Sequence, residues 1–303
     1  MAKRNWTYDC AVIGAGPGGL VSALYLKRFR RKVALVHGGK PRIAWGPRVR
    51  NLVGYDRGIS GKRLLKRLER QVDRAGGVDL YRSRARIERI AGGFCVKLEE
   101  GGDFSAKTVI LATGITDEHP EIDNLVELRN LGLLKYCSIC DGYEVREKPI
   151  AVLARDDFGI QKALFLACWT KKARILVPKN FRPAPQRIRE LREAGMRLVP
   201  TKKFTLEACA DGKALIVRAD QRKPFVCSVA YVELGCRVND DAFRDLRGLR
   251  RAKSGFLITT QEQRTSIPGL FAVGDCVNLL GQISVAAGQA AVAATTIHND
   301  LLA

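Results

Sequence analysis

The chain has 303 residues, 46% of them apolar and 27% charged, and Lys and Arg outnumber Asp and Glu by 52 to 31, a formal charge of +21. That length suits about two domains, and that apolar content excludes a disordered polyelectrolyte, because there is enough hydrophobic surface for real cores. No apolar run reaches the ~18–20 residues of a membrane span. The start, Met1-Ala2-Lys3-Arg4-Asn5-Trp6-Thr7-Tyr8-Asp9, lacks the apolar core of an export signal, so the cytoplasm is the expected compartment. Nine cysteines in such a chain do not read as a secreted disulfide framework, and any paired ones are expected to be catalytic or metal-binding.

Tyr8 to Ile13 is a short apolar run that predicts a strand. Gly14-Ala15-Gly16-Pro17-Gly18-Gly19 follows, then a helical stretch from Leu20 and a second strand at Val33–Val36. Between a strand and a helix, G-x-G-x-x-G has a mechanism. Gly14 allows the tight turn, Gly16 lets backbone approach a pyrophosphate, and Gly19 lets the helix pack on the strand with its first amides facing the anion. The acid that usually ends the second strand and holds a ribose hydroxyl is absent; His37-Gly38-Gly39 stands there instead.

Charge is concentrated early. Residues 1–114 carry 24 basic and 9 acidic side chains, against 22 and 16 over 115–239 and 6 and 6 over 240–303. The run Lys27–Lys32 and the loop Lys40–Arg50, which holds Trp45, could attract an acidic protein, a polyanion or a phosphate; a solvated basic surface explains them equally. Aromatics are only 7% and no nucleic-acid-binding motif appears, so nucleic acid is not the expected partner.

A third strand ends at Ala112-Thr113-Gly114, and beyond it lies Cys137-Ser138-Ile139-Cys140-Asp141-Gly142-Tyr143-Glu144. Two cysteines at this spacing can close a small disulfide ring, and a helix start lowers one thiol's pKa so that it attacks as thiolate. Zinc would need a second pair at a matching spacing, which Cys227 and Cys236 do not supply. Asp141 puts a carboxylate within reach of the pair, suited to moving a proton. The other cysteines, Cys276 included, read as small hydrophobes, and His37, His119 and His298 lack ligand spacing, so no metal is expected. Near the end, Thr265–Asp275 is a strand closing in Gly-Asp, followed by an Ala-rich helix from Ile283. Its aspartate is placed to accept hydrogen bonds from a polyol while helix amides meet a neighbouring anion or carbonyl.

GAGPGG at residue 14, the Ala-Thr-Gly strand end and TSIPGLFAVGD ending at 275 resemble the two-dinucleotide-domain flavoprotein disulfide reductases, and C-x-x-C-D-G-Y-E is similar to the low-molecular-weight thioredoxin reductases. The resemblance implies an α/β fold of two Rossmann-like three-layer nucleotide-binding domains, the second inserted into the first. The FAD-binding domain would comprise 1–114 and 240–303 and the insert 115–239, in a homodimer. It assigns FAD to Gly14, Gly16, Pro17 and Gly19, to His37 and Asn51, to Ala112, Thr113 and Gly114, and to Asp275, Gln282 and Ile283. Asp275 would hold the ribityl chain and the Ile283 helix would point at the flavin ring. Cys140 would face the flavin, Cys137 would attack a thioredoxin-like or small-molecule disulfide, and Asp141 would serve as acid and base.

The insert should open with its own strand, glycine turn and helix for NADPH. The strand (Pro149–Leu153) and helix (Ile160–Cys168) are present, but the turn reads Ala154-Arg155-Asp156-Asp157-Phe158-Gly159. Only the third glycine, the packing one, survives. Asp156 puts a carboxylate where a pyrophosphate belongs, and like charges ~4 Å apart repel by ~1 kcal/mol in water and ~4 kcal/mol at an effective dielectric of 20. NADPH independence is therefore expected. Electrons would come from an acidic carrier such as ferredoxin or flavodoxin, or through a second flavin or nucleotide. Two other readings are an oxidase of a small-molecule dithiol and a non-catalytic flavin-binding regulatory module.

Overall fold

A computed structural model describes residues 6–46, 48–277 and 280–303; Met1–Asn5 of the chain start and Pro47 of the basic loop lie outside the described residues. The chain forms two compact units, one of Met1–Gly46, Ile59–Thr116 and Arg237–Ala303, the other of Pro47–Gly58 and Asp117–Cys236.

The first unit opens with β1 (Tyr8–Ile13), α1 (Pro17–Arg28), β2 (Val33–Val36), α2 (Gly61–Ala75), β3 (Val78–Tyr81), β4 (Ala85–Ile90), β5 (Gly93–Leu98) and β6 (Phe104–Leu111). The strand runs CAVI, VALV and VIL are buried on both faces, as parallel strands covered on both sides must be. β3, β2, β1 and β6 pair in parallel in that spatial order. The first half of β6 carries the antiparallel β5–β4 ribbon, and its second half pairs with a late strand described below.

After β7 (Ile115–Asp117), the second unit comprises α3 (Leu125–Asn130), β8 (Leu134–Lys135), the single turn α4 (Ser138–Asp141), β9 (Ile150–Ala154), α5 (Asp157–Phe165), β10 (Ala173–Pro178), α6 (Pro185–Glu193), β11 (Arg197–Thr201), β12 (Phe204–Ala208), β13 (Leu215–Ala219), β14 (Phe225–Cys227) and β15 (Val229–Glu233). Its sheet is parallel in the order β11-β10-β9-β15-β8, and β12, β13 and β14 form a separate antiparallel sheet. Alternate residues of β9 divide between two cores. Ala151 and Leu153 pack with Leu206, Val217 and Cys227 of the small sheet, whereas Val152 and Ala154 pack with Ile160, Ala163 and Leu191 of the helices. That division makes the three layers. β16 (Cys236–Val238) pairs with β7 where the chain returns, and β17 (Leu270–Ala272) and α7 (Ile283–Asp300) complete the first unit.

In the first unit β1 divides in the same way. Cys10 and Val12 join Leu20, Ala23 and Leu26 of α1 and Ala293, Ala294 and Ile297 of α7, while Ala11 and Ile13 face Ile87, Phe94 and Val96 of the ribbon. Small residues on α1 and α7 let the two helices lie close, and Arg31 ties their ends by donating to the His298 carbonyl at 2.8 Å. The architecture is thus the pair of Rossmann-like α/β units expected from the sequence. One segment differs. Pro47–Gly58, with Asn51, groups with the second unit although the sequence reading keeps it in 1–114; its Arg50 Nε lies 3.6 Å from Glu144 Oε1. No helix among the described residues is long and apolar enough to cross a membrane.

Candidate active site

In an open parallel sheet the crevice for a ligand forms where strand order reverses, at the carboxyl ends of the strands. In the first unit that place lies between β1 and β6, and the Gly14–Gly19 turn sits in it. Gly14 adopts φ +113°, and a Cβ there would lie 2.2 Å from the Ala112 oxygen. A Cβ on Gly19 would lie 1.8 Å from the Gly14 oxygen, so α1 packs on the strand only with glycine. Gly16 is different, because among the described residues nothing lies within 4 Å of its Cβ position. It is the N-cap of α1, no side chain caps the helix, Pro17 occupies the first turn, and that turn holds no acid. The leading amides are left for an anion, and the Gly16 cradle fits the pyrophosphate of a dinucleotide.

The other expected contacts of this unit converge on the same strand ends. His37 follows β2, its amide donating to the Tyr81 carbonyl at 2.8 Å, and burial, then Arg82, lowers its pKa. Ala112 donates to the Ile13 carbonyl at 2.8 Å, and the Thr113 and Gly114 carbonyls accept from Asn239 at 3.0 and 3.1 Å. After β17, Gly274 takes φ +76° and its amide donates to Gln289 Oε1 at 2.7 Å, which fixes the turn presenting Asp275. Gln282 is the N-cap of α7 and Ile283 its first residue. Asn51 belongs to the second unit. The sequence reading missed Arg42, whose Nη1 is 3.4 Å from Asp275 Oδ2; its presence in the basic loop was the only signal.

In the second unit Cys137 and Cys140 are bonded to each other. Cys137 caps the single turn of α4, and the Cys140 amide donates to the Cys137 Sγ at 3.1 Å, a bond that favours a thiolate at Cys137 once the pair is reduced. Asp141 closes that turn. Burial pushes its carboxyl above the ordinary carboxylate range against the pull of Lys135, whose Nζ is 3.6 Å away. Lys135 pairs in register with Tyr231 on β15. Among the described residues the Tyr231 hydroxyl is buried without a hydrogen-bond partner, and burial, then Asp141, raises its pKa. Gly142 of the motif has a packing reason, since a Cβ there would lie 2.3 Å from the Trp169 ring. Ile139 and Tyr143 beside the disulfide are exposed, with Arg146 over the Tyr143 ring at 3.6 Å.

The same unit has its own reversal point between β9 and β15, where the turn Ala154–Gly159 lies. Gly159 does what the sequence assigns it, as a Cβ there would lie 2.6 Å from the Glu233 oxygen. Asp156 does something the sequence reading missed: it is the N-cap of α5, and its Oδ1 accepts from the Gly159 amide at 2.9 Å. A side chain of the protein therefore occupies an amide that a phosphate oxygen would use. Asp157 accepts from the Ala184 amide at 3.1 Å. Arg155, 3.7 Å from Asp156, extends over Gly235, where a Cβ would lie 2.9 Å from its Nη2. Glu233, 3% exposed at the end of β15, adds a third acid and meets Lys162 at 3.2 Å. An acid closing the apolar run Val229–Val232 was its signal. Among the described residues no group of three or more His, Cys, Asp or Glu could hold a metal. Of the cysteines read as small hydrophobes, Cys10, Cys227 and Cys276 are buried, and burial pushes their thiols up to about 12, 12 and 11; Cys168 is exposed because it sits in a helix-end turn.

A pyridine nucleotide-disulphide oxidoreductase family model matches residues 8–290, and the chain belongs to that family. It is 28% identical over 315 residues to the thioredoxin reductase of Mycoplasma pneumoniae, with 99% of this chain and 98% of the relative covered. The crystal structure of thioredoxin reductase from Streptococcus pyogenes superposes with a TM-score of 0.88 at 25% identity, covering 99% of each chain. The atypical thioredoxin reductase from Desulfovibrio vulgaris Hildenborough is 30% identical with a TM-score of 0.51, covering 97% of this chain and 99% of that one. Within its family the chain is thus a low-molecular-weight thioredoxin reductase-like, FAD-dependent disulfide oxidoreductase.

Proposed function

We propose that this enzyme passes electrons between FAD and a thioredoxin-like or small-molecule disulfide through Cys137 and Cys140, without NADPH. The observation that carries the second half of the proposal is the Asp156 carboxylate capping α5 in place of a phosphate. The Gly14–Gly19 turn would hold the FAD pyrophosphate, His37, Ala112, Thr113 and Gly114 would line its remaining length, and Asp275, Gln282 and Ile283 would serve its ribityl and ring portions. When bound, FAD supplies a two-electron exchange with the disulfide. The donor fitting the early basic surplus is an acidic one-electron carrier of the ferredoxin or flavodoxin class, since complementary charge speeds encounter. A homodimer in the cytoplasm completes the reading.

The chain's own residues then carry out disulfide exchange. Reducing the Cys137–Cys140 bond consumes two electrons and two protons. Cys137, favoured as thiolate by the Cys140 amide, attacks one sulfur of the substrate disulfide; a Cys137–substrate bond forms, the substrate S–S bond breaks, and the departing thiolate takes a proton from Asp141. Cys140 next passes its proton to Asp141 and attacks the Cys137 sulfur; the Cys137–substrate bond breaks, the internal disulfide is restored, and the second substrate thiolate leaves and takes that proton. Asp141 suits the proton step because burial keeps it protonated to higher pH than an exposed carboxylate.

Anaerobic mixing tests the proposal. Excess NADPH is expected to leave the flavin oxidised, while reduced ferredoxin bleaches it at a rate that falls steeply with ionic strength. Rapid bleaching by NADPH overturns the assignment of donor. Dithionite titration is expected to reach four electrons per monomer, two on flavin and two on the disulfide; an endpoint at two removes the dithiol from the pathway.

A further inference from the structure

At the opposite end of the second unit's sheet from its reversal point, β10 and β11 begin with two arginines placed side by side. Arg174 and Arg197 are direct partners in the parallel register. Like charges opposite one another on neighbouring strands are destabilising, and neither arginine has an ion-pair partner among the described residues. The arrangement is not diffuse. The Arg174 guanidinium lies over the Phe225 ring of β14 at 4.2 Å, which holds it in place rather than leaving it to swing into solvent. Two adjoining cavities of about 400 and 310 Å³ share Arg174, Arg197 and Phe225. Lys171 and Lys172 line the first, Arg222 and Lys223 the second, and no acidic side chain lines either. Arg222 is anchored by donating to the Pro200 carbonyl at 3.3 Å.

Six cations around two adjoining depressions lined by Phe225 and by no carboxylate hold a field that favours an anion of several charges. The combined space falls within the ~300–1,000 Å³ range of small-molecule sites, too large for a single phosphate and suited to a chain of them. Guanidinium forks match phosphate oxygens in pairs, and two guanidiniums held in register can bridge successive phosphates. We infer that the Arg174–Arg197 surface is a binding site for an oligophosphate, either a nucleoside triphosphate or an inorganic phosphate chain. Along β10 it lies about 13 Å from the strand's carboxyl end, so it is separate from the sealed turn at Asp156 and independent of which donor reduces the flavin.

Calorimetric titration of the FAD-loaded protein with ATP, inorganic tripolyphosphate and adenosine at low and at physiological salt tests the inference. Saturable one-to-one binding of ATP or tripolyphosphate is expected, weakening with salt, with no binding of adenosine. Arg174→Gln/Arg197→Gln should weaken it at least tenfold, while Arg189→Gln/Arg192→Gln on α6 leaves it unchanged. Tighter binding of ATP assigns the site to a nucleotide, and equal binding assigns it to the phosphate chain. The rise in melting temperature that tripolyphosphate causes in the parent protein should vanish in Arg174→Gln/Arg197→Gln. The inference is overturned by the absence of saturable binding, by equal losses in both double variants, or by a single-stranded RNA that binds tighter than either oligophosphate.

Discussion

The two reversal points present one strand-turn-helix plan with opposite outcomes. Between β1 and α1 the middle glycine meets no described residue, no side chain among the described residues caps the helix, and no acid sits in its first turn. Between β9 and α5 the turn supplies its own cap from Asp156, places Asp157 in the first helical turn, and meets Glu233 at the neighbouring strand end. Yet the third glycines are equivalent: Gly19 and Gly159 each leave no room for a Cβ against backbone oxygen. Residues that let helix and strand pack are thus separable from residues that receive an anion, and the second unit keeps the former while replacing the latter.

If the two turns divide in this way, their glycines should fail differently. Gly19→Ala forces a Cβ onto the Gly14 oxygen at 1.8 Å in the turn proposed to hold FAD, so the variant is expected as flavin-free protein or not to accumulate, read from the ratio of flavin to protein absorbance. Gly16→Ala, with open space at that position, should fold and bind FAD more weakly. A Gly16→Ala protein that folds and retains full flavin affinity would break the assignment of that cradle.

Asp141→Asn is the next largest change. Loss of an acid/base contribution is worth about 10²–10⁴ in turnover, while the flavin content stays normal. The same variant reports the cost of burying that carboxyl. A raised pKa in the folded state means stability present below the ordinary carboxylate value and lost as pH rises through the raised one. Melting curves across acid to neutral pH should therefore show the parent protein losing ground to Asp141→Asn as pH rises. A difference that grows the other way would put Lys135 rather than burial in control of this group.

Gly159→Ala tests the shared half of the plan. Its Cβ would lie 2.6 Å from the Glu233 oxygen and 2.9 Å from the Ala154 Cβ. Overpacking of this kind costs about 1–3 kcal/mol. The melting temperature should fall while the flavin spectrum and the accessibility of the Cys137–Cys140 bond stay unchanged.

Much of this was legible in the chain. Both turns, the roles of Gly14, Gly19 and Gly159, the C-x-x-C-D run and the doubly wound class follow from local patterns whose meaning is fixed by backbone sterics and strand burial. What was not legible depends on the spatial neighbours of those patterns. Arg42 reaches Asp275 across 233 positions, and Tyr231 comes beside Asp141 through the pairing of β15 with β8. The Arg174–Arg197 pair exists only once β10 and β11 are in register. The family resemblance puts Asn51 in the first unit, whereas its segment groups with the second. Asp156 is instructive because the sequence shows its charge but not its hydrogen bond to Gly159, an ordinary N-cap that forms only once α5 is in place.

That bond permits the subtlest test, because capping and repulsion can be separated. Replacing an N-cap Asp by Gly costs only a few tenths of a kcal/mol, so Asp156→Gly should melt close to the parent protein. It frees the Gly159 amide and removes a carboxylate, and slow bleaching of the flavin by NADPH is expected where the parent shows none. Asp156→Asn keeps an oxygen that can still cap the helix while discarding the charge, and it should remain unresponsive if the cap is what closes the turn. Equal gains in both variants would make charge repulsion the cause. Silence in both would move the cause to Arg155 over Gly235 and to the buried Glu233, the remaining differences between this turn and the one at Gly14.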